Sequence, residues 1–220
     1  MGKSLVFIFL LCFFVSCNEN CQNQSAEVQE QNANCPIPNP DPDPDPIPDG
    51  DVPNEALTFD VNYVLTNFDR GSEDKLLKAI EIIKKVIGSN EFRSKVLNFT
   101  FQGKKQFFEN KGLSNEEIYQ KLLDGREDLK PDVDNQMDLE LELYYSWTST
   151  VGYTTPGAMK IYLNSKFYNP FTPSEVAGNV FHEWTHKLGF EHATNYSKER
   201  DSTVPYAIGY LIRDLGRQYE

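Results

Sequence analysis

The sequence predicts an α+β domain, and three observations support that prediction. Short segments alternate between apolar and polar residues, which is typical of half-buried β-strands. Other segments have helical periodicity, begin at capping residues and end at glycines. The 220 residues include 15 Phe, 11 Tyr and 2 Trp, which is enough large apolar surface for a sizeable core. The length fits one domain with additional segments.

The N-terminal segment predicts export. Lys3 precedes an apolar run over residues 5–15 that is shorter than the roughly 20 residues of a membrane-spanning helix and fits the apolar region of a secretory signal. We therefore assign residues 1–16 to a signal peptide. Ser16 and Cys17 resemble the lipobox of bacterial lipoproteins, which implies lipidation at Cys17 and a membrane-anchored protein, periplasmic or at the cell surface. The alternative is an ordinary cleaved signal that leaves Cys17 as a thiol on a secreted protein.

A tether is predicted between the signal and the folded domain. Residues 17–53 combine a polar segment with a Pro- and Asp-rich run, and neither can bury enough apolar surface to fold. The proline-rich part favours polyproline II and reaches on the order of 50 Å at about 3.1 Å per residue. Cys21 and Cys35 lie in this tether and are free to pair in an oxidising compartment. The folded domain is predicted over residues 54–220.

The first half of the domain is predicted to contain two strands and two helices. Alternation over residues 57–63 predicts a strand, which is followed by a helix over residues 73–87 with Ser72 as its N-cap. Residues 96–101 predict a second strand. The next helix begins after Ser114, where a glutamate three residues later completes a capping box.

The second half is predicted to contain two more strands and two more helices. The strands are expected over residues 139–147 and 159–163. Thr172 caps a helix that runs to about Leu188, with proline in its first position and a capping-box glutamate. A last helix is expected over residues 206–218. On the helix after Thr172, Phe181, Trp184 and Leu188 are expected to be buried, and Thr185 and Lys187 to face solvent or the wall of a cleft.

Residues 182–192 contain every histidine of the chain and read His-Glu-Trp-Thr-His-Lys-Leu-Gly-Phe-Glu-His. His182 and His186 are four residues apart on a predicted helix, so both imidazoles can reach one ion about 2.0–2.1 Å from each nitrogen. A glycine then allows the chain to turn back, so that His192 can supply a third nitrogen. Three protein ligands leave one position for water, which is the arrangement of a catalytic zinc site.

Glu183 follows the first of these histidines. Its carboxylate can lie beside the metal without binding it, which suits a group that accepts a proton from an activated water. Two other interpretations of the motif are three histidines without a metal and a structural zinc site. Structural sites usually fill all four positions with protein ligands, and no cysteine lies beyond residue 35.

This segment resembles the zinc-binding signature of metzincin metallopeptidases. The resemblance covers eleven residues and implies a zincin-like catalytic domain, with a twisted sheet, two helices and a very small C-terminal subdomain. It also implies that His182, His186 and His192 are zinc ligands, that Glu183 is the general base, and that the substrate is a protein or peptide. A strand that borders the cleft is implied as well, and residues 157–163 are the candidate for it.

One departure concerns the methionine that metzincins place in a turn beneath the metal. The methionines are at positions 1, 137 and 159, so none follows His192. Residues 202–206 are the expected replacement, and Tyr206 could bind the metal or donate a hydrogen bond to the developing oxyanion. The alternative is a helix start with the Tyr206 ring in the core, and Tyr196 is a weaker rival for the role.

The function expected from these patterns is hydrolysis of peptide bonds by a zinc endopeptidase. The alternatives are a surface lipoprotein that binds a partner and carries a non-catalytic zinc, and a zinc hydrolase of non-peptide amide bonds. The net charge of −12 argues against a nucleic-acid-binding protein. We expect a monomer.

Overall fold

The computed structural model describes residues 59–193 and 195–220. Within these residues a four-stranded twisted sheet combines with six α-helices, which confirms the predicted α+β class. The six helices exceed the two that the metzincin resemblance implies. The expected signal peptide over residues 1–16, the tether over residues 17–53 and the lipidation site at Cys17 lie outside the described residues.

The sheet has one antiparallel strand at its edge. Its strands are β1 Asp60–Thr66, β2 Gln136–Tyr144, β3 Gly152–Thr154 and β4 Lys160–Asn164. Their order is β1-β2-β4-β3, with β1, β2 and β4 parallel and β3 antiparallel to β4. The candidate for the strand at the border of the cleft, residues 157–163, is therefore wrong. β4 is paired on both sides, and the short β3, which the sequence did not predict, forms the edge.

The helices are α1 Arg70–Ile87, α2 Asn90–Leu97, α3 Asn115–Asp124, α4 Ser165–Tyr168, α5 Pro173–Lys187 and α6 Val204–Gly216. Short 3-10 turns lie at Arg200–Ser202 and Arg217–Tyr219. Across the part of the chain described here, no helix combines the length and the apolar character that crossing a membrane requires.

Two of the predicted helix starts are confirmed and one is wrong. Both capping boxes, at Ser114 and at Thr172, are present with their glutamates. The start of α1 lies earlier than predicted, because the Asp69 side chain accepts a hydrogen bond from the Ser72 backbone N–H at 2.7 Å. Ser72 is therefore inside the first turn, and Asp69 is the cap.

The strand predicted over residues 96–101 is wrong, because helix α2 occupies residues 90–97. Ser89 caps this helix by accepting a hydrogen bond from the Phe92 N–H at 3.1 Å. Phe92 and Val96 are both fully buried, and their spacing of four residues is helical. The rest of the segment is fixed by long-range packing, since the Phe99 ring stacks on Phe107 with ring centroids 4.2 Å apart.

The core lies between one face of the sheet and the helices α1, α5 and α6. The buried apolar residues of the central strands alternate, as strand geometry requires, and are Met137, Leu139, Leu141, Leu143, Ile161 and Leu163. α6 packs against both α5 and α1 and buries Val204, Ile208 and Ile212. The C-terminal residues thus belong to the same core, and the expected small separate subdomain is not what these residues form.

Candidate metal centre

Helix α5 carries the first two histidines on one face. His182 and His186 are one turn apart, and their ring centroids lie 5.2 Å from each other. The opposite face is apolar, as predicted, with Phe181, Trp184 and Leu188 buried. This division anchors the helix in the core and leaves the two imidazoles at its other side.

The turn after α5 brings the third histidine back to the first two. Gly189 has a φ of 83°, a conformation that favours glycine. A Cβ atom at this position would also lie 2.7 Å from the Asp128 carboxylate, which would have to move, so the backbone conformation is the main requirement for glycine. Phe190 is 1% exposed, and its N–H donates to the Thr185 carbonyl at 3.1 Å. This buried aromatic residue fixes the path of the chain toward His192.

The three imidazoles converge through their Nε2 atoms. The Nε2 atoms of His182 and His192 are 3.1 Å apart, close to the roughly 3.3 Å expected between two nitrogens on one tetrahedral zinc with bonds of 2.0–2.1 Å. Ligand atoms from His182, His186 and His192 all lie within 4.8 Å of one another, and these three form the metal-binding group found among the described residues. The chain can therefore hold a metal ion here.

Backbone carbonyls hold the other nitrogen of each ring. Nδ1 of His186 lies 2.7 Å from the Phe190 carbonyl oxygen, and Nδ1 of His192 lies 3.0 Å from that of Ala193. The His182 ring hydrogen-bonds the Pro205 carbonyl. A carbonyl can only accept, so each Nδ1 carries the proton and each Nε2 presents a lone pair to the centre. Partners of this kind orient metal-binding histidines and fix their tautomers.

Burial keeps the imidazoles of His182 and His186 neutral. Burial holds the pKa of His182 well below its usual range, and the neighbouring histidines lower it further. Burial also lowers the pKa of His186 to about 4. Because only neutral imidazole binds a metal, both rings are in the binding form at neutral pH.

The Glu183 carboxylate lies beside the histidines and is not part of the metal-binding group. Glu183 is 4% exposed, and burial raises its pKa to about 8, opposed by the charge of Lys187. Strand β3 passes directly over this carboxylate, since a Cβ atom at Gly152 would lie 3.1 Å from Glu183 Oε1. A bound cation would lower the pKa of this group and leave it able to exchange a proton near neutral pH.

Tyr206 packs on the metal-binding group, although not from a turn. It lies in the first helical turns of α6, which begins at Val204, and its ring centroid is 4.5 Å from that of His182 and 4.6 Å from that of His192. Burial raises the pKa of the Tyr206 phenol, so it keeps its proton at neutral pH. Tyr196, the weaker rival, is 72% exposed.

A glycine contact between α5 and α6 brings Tyr206 to this position. A Cβ atom at Gly178 would lie 2.7 Å from the Gly209 carbonyl oxygen, and one at Gly209 would lie 3.1 Å from the His182 Cβ. The two helices therefore cross at nearly backbone contact. The sequence analysis did not use these glycines, although a glycine inside a helical pattern often has a packing reason.

A cleft of about 1180 Å³ contains the three histidines, Glu183 and Tyr206. One wall consists of residues 149–159, which include β3, and the other includes Tyr210 and Arg213 of α6. The expectation for Thr185 is wrong, because Thr185 is fully buried and does not line the cleft. Lys187 lines the cleft, as expected, although it is only 5% exposed.

Arg200 is another residue that the sequence analysis did not identify. Its guanidinium lies 4.6 Å from the centroid of the Tyr206 ring and 5.3 Å from that of Tyr196. No periodic pattern marks it, because it lies in a short 3-10 turn between His192 and α6.

No protein-family model, curated protein or solved structure matches the chain.

Proposed function

We propose that this protein is a zinc-dependent endopeptidase of the metzincin type. The observation that carries the proposal is the convergence of three imidazoles, with ligand atoms within 4.8 Å of one another and the Nε2 atoms of His182 and His192 3.1 Å apart, and with each ring hydrogen-bonded to a backbone carbonyl. Three imidazoles with no thiolate or carboxylate suit zinc. When bound, zinc would polarise the scissile carbonyl and activate a water as the nucleophile.

The residues of the chain would perform the proton transfers. Glu183 lies beside the histidines with a carboxylate that exchanges its proton near neutral pH, so it would accept the proton of the attacking water and return it to the leaving amine. The protonated phenol of Tyr206 packs on His182 and His192 and would donate a hydrogen bond to the oxyanion as charge develops.

An extended peptide would bind along β3. This strand is at the edge of the sheet and lies directly over Glu183. The backbone groups on the free side of an edge strand can pair with those of a bound peptide. We therefore assign the pairing with an extended substrate to β3 instead of to residues 157–163, and we propose that the substrate is a protein or peptide.

The test is metal content and peptide-library hydrolysis by the full chain, with Glu183→Gln beside it. We expect one zinc per chain in both proteins and a loss of about 10²- to 10⁴-fold in kcat/KM for the variant. Glu191→Gln is the matched control, because Glu191 is an exposed glutamate in the turn that precedes His192. It should retain activity.

Other outcomes would point elsewhere. One zinc per chain without cleavage of any peptide would favour the binding lipoprotein or the non-peptide hydrolase, and absence of zinc would reject the metal centre.

We also propose a monomer anchored through Cys17, with no nucleic-acid partner. Metabolic labelling with a fatty acid, lost in Cys17→Ala, tests the anchor.

A further inference from the structure

Lys187 is a buried cation that the proposed peptidase mechanism does not use. It is the last residue of α5 and follows His186 directly. Its ammonium donates hydrogen bonds to the Thr154 hydroxyl and to the Ala158 carbonyl oxygen. Both acceptors are neutral, and none of the ion pairs formed between described residues includes Lys187.

The two acceptors belong to the two ends of one hairpin turn. Thr154 ends β3, and Ala158 closes the turn that leads to β4, with its N–H donating to the Thr155 carbonyl at 3.3 Å. Pro156 and Gly157, whose φ is 73°, occupy the central positions as in a type II turn. The Thr154 hydroxyl also donates to the Lys160 carbonyl at 3.0 Å. Lys187 therefore binds both arms of the hairpin at its neck.

The energetic balance favours a positioning role over a purely stabilising one. A buried ammonium that meets only neutral acceptors loses much of its hydration, and a methionine of similar length would fill the space without that loss. The hairpin forms a wall of the cleft, and α5 carries two of the histidines. The contacts of Lys187 thus fix the distance between the wall and the metal-binding side chains.

We propose that Lys187 is a positioning residue that holds the β3–β4 hairpin against α5 and so sets the width of the substrate cleft. This inference rests on the proposed peptidase function for its effect on substrate binding. The contact between helix and hairpin can be measured without any substrate.

The first experiment is steady-state peptide hydrolysis by the full, zinc-loaded chain and its variants. We expect Lys187→Met to raise KM about tenfold, because the displaced wall weakens binding. Loss of the Lys187 charge also raises the pKa of Glu183, so kcat is compared at the optimal pH of each protein, where it should change less than KM. Thr154→Val, which removes the hydroxyl acceptor, should shift KM in the same direction, and Thr154→Ser should behave as the wild type. Lys160→Met is the control, because the Lys160 side chain pairs with Glu142 at 3.0 Å away from Lys187.

The second experiment is amide hydrogen exchange over residues 152–160 in the metal-free proteins. Exchange should be faster in Lys187→Met than in the wild type and in Lys160→Met, because the neck of the hairpin opens more often. Unchanged exchange would overturn the proposal even if the chain cleaved no peptide, so this result is independent of the proposed function. A fall in kcat and zinc content with unchanged KM would overturn it as well.

Discussion

The two faces of α5 have chemically different surroundings, and a buried glutamate lies at each, Glu127 from the loop after α3 at one and Glu183 of α5 itself at the other. On the core face, Trp184 is fully buried and its Nε1–H donates to Glu127 Oε1 at 2.6 Å. The same Glu127 oxygen accepts a hydrogen bond from the Asp138 N–H at 3.0 Å. On the cleft face, Glu183 is as deeply buried, yet no hydrogen bond to its carboxylate is present among residues 59–193 and 195–220.

Burial raises the pKa of both glutamates, so a raised pKa alone does not distinguish a candidate catalytic carboxylate from a structural one. Glu127 Oε1 is occupied by two donors that join a loop, a strand and a helix. Glu183 lines a cleft beside three converging imidazoles. The groups that a buried carboxylate contacts, and whether a substrate can reach it, therefore decide between a structural and a chemical role. The predictions below test this difference.

The largest expected effect is a difference between a variant on the core face of α5 and a variant on its cleft face. The first should lose stability, and the second should lose metal binding. Trp184→Ala should lower the unfolding free energy of the metal-free protein by about 3–5 kcal/mol, because it leaves a large cavity and removes a donor from Glu127. His182→Ala should change the same quantity by less than about 1 kcal/mol while abolishing zinc binding. Denaturant unfolding and zinc titration measure both. Equal destabilisation by the two variants would contradict the division between faces.

A second prediction concerns the pH dependence of stability in the metal-free protein. The pKa of Glu183 is about 8 in the folded state against an ordinary value of 4.5. Its contribution to stability is therefore fully present below about pH 4.5 and is lost as the pH rises toward 8. Glu183→Gln should thus be more stable than the wild type at pH 8 by about 2–4 kcal/mol, and the difference should shrink toward pH 5.

Glu127→Gln sharpens the same comparison. Hydrogen bonds from Trp184 and the Asp138 backbone oppose the effect of burial at Glu127, so this variant should gain less stability at pH 8. Thermal melts at several pH values measure both variants. A larger gain for Glu127→Gln would reverse the assignment of the two roles.

A third prediction tests the close crossing of α5 and α6 at Gly178 and Gly209. In Gly178→Ala the new methyl group would lie 2.7 Å from the Gly209 carbonyl oxygen, so α6 must move, at a cost of about 1–3 kcal/mol. Activity should fall as well, because Tyr206 moves with α6. Gly71→Ala is the control, since the nearest atom there is 3.6 Å away, and it should be neutral or stabilising by up to about 1 kcal/mol. Similar results for the two variants would argue against a close crossing.

The smallest expected effect is that of the Tyr206 hydroxyl. Tyr206→Phe should lower kcat by about tenfold, or 1.4 kcal/mol, with KM and the melting temperature little changed. The ring would still pack on His182 and His192, and only the donor to the oxyanion would be lost. An unchanged kcat would restrict Tyr206 to packing.

The local parts of the site were predictable from the sequence because neighbouring residues determine them. Thr172 and its glutamate start α5, and the spacing of His182 and His186 places both rings on one face. The Gly189 turn that returns His192 also follows from local chemistry. These features depend on backbone geometry over a few residues, which sequence patterns describe well.

The parts that were missed depend on distant residues. Residues 96–101 alternate like a strand, but the helix capped by Ser89 extends to Leu97, and beyond it the Phe99 ring stacks on Phe107. β3 has only three residues, too few for a periodic signal. Lys187 is buried because a hairpin about 30 positions earlier in the chain covers it, and no helical pattern carries that information.

The backbone carbonyls of Phe190, Ala193 and Pro205 orient the three imidazoles. A carbonyl oxygen is available from every residue type, so these contacts place no demand on which side chains occupy the three positions. Apart from the need to bury Phe190, the orientation of the three imidazoles therefore depends on the path of the backbone and not on particular side chains. The side chains at the positions that supply these carbonyls can therefore vary while the imidazoles keep their orientation.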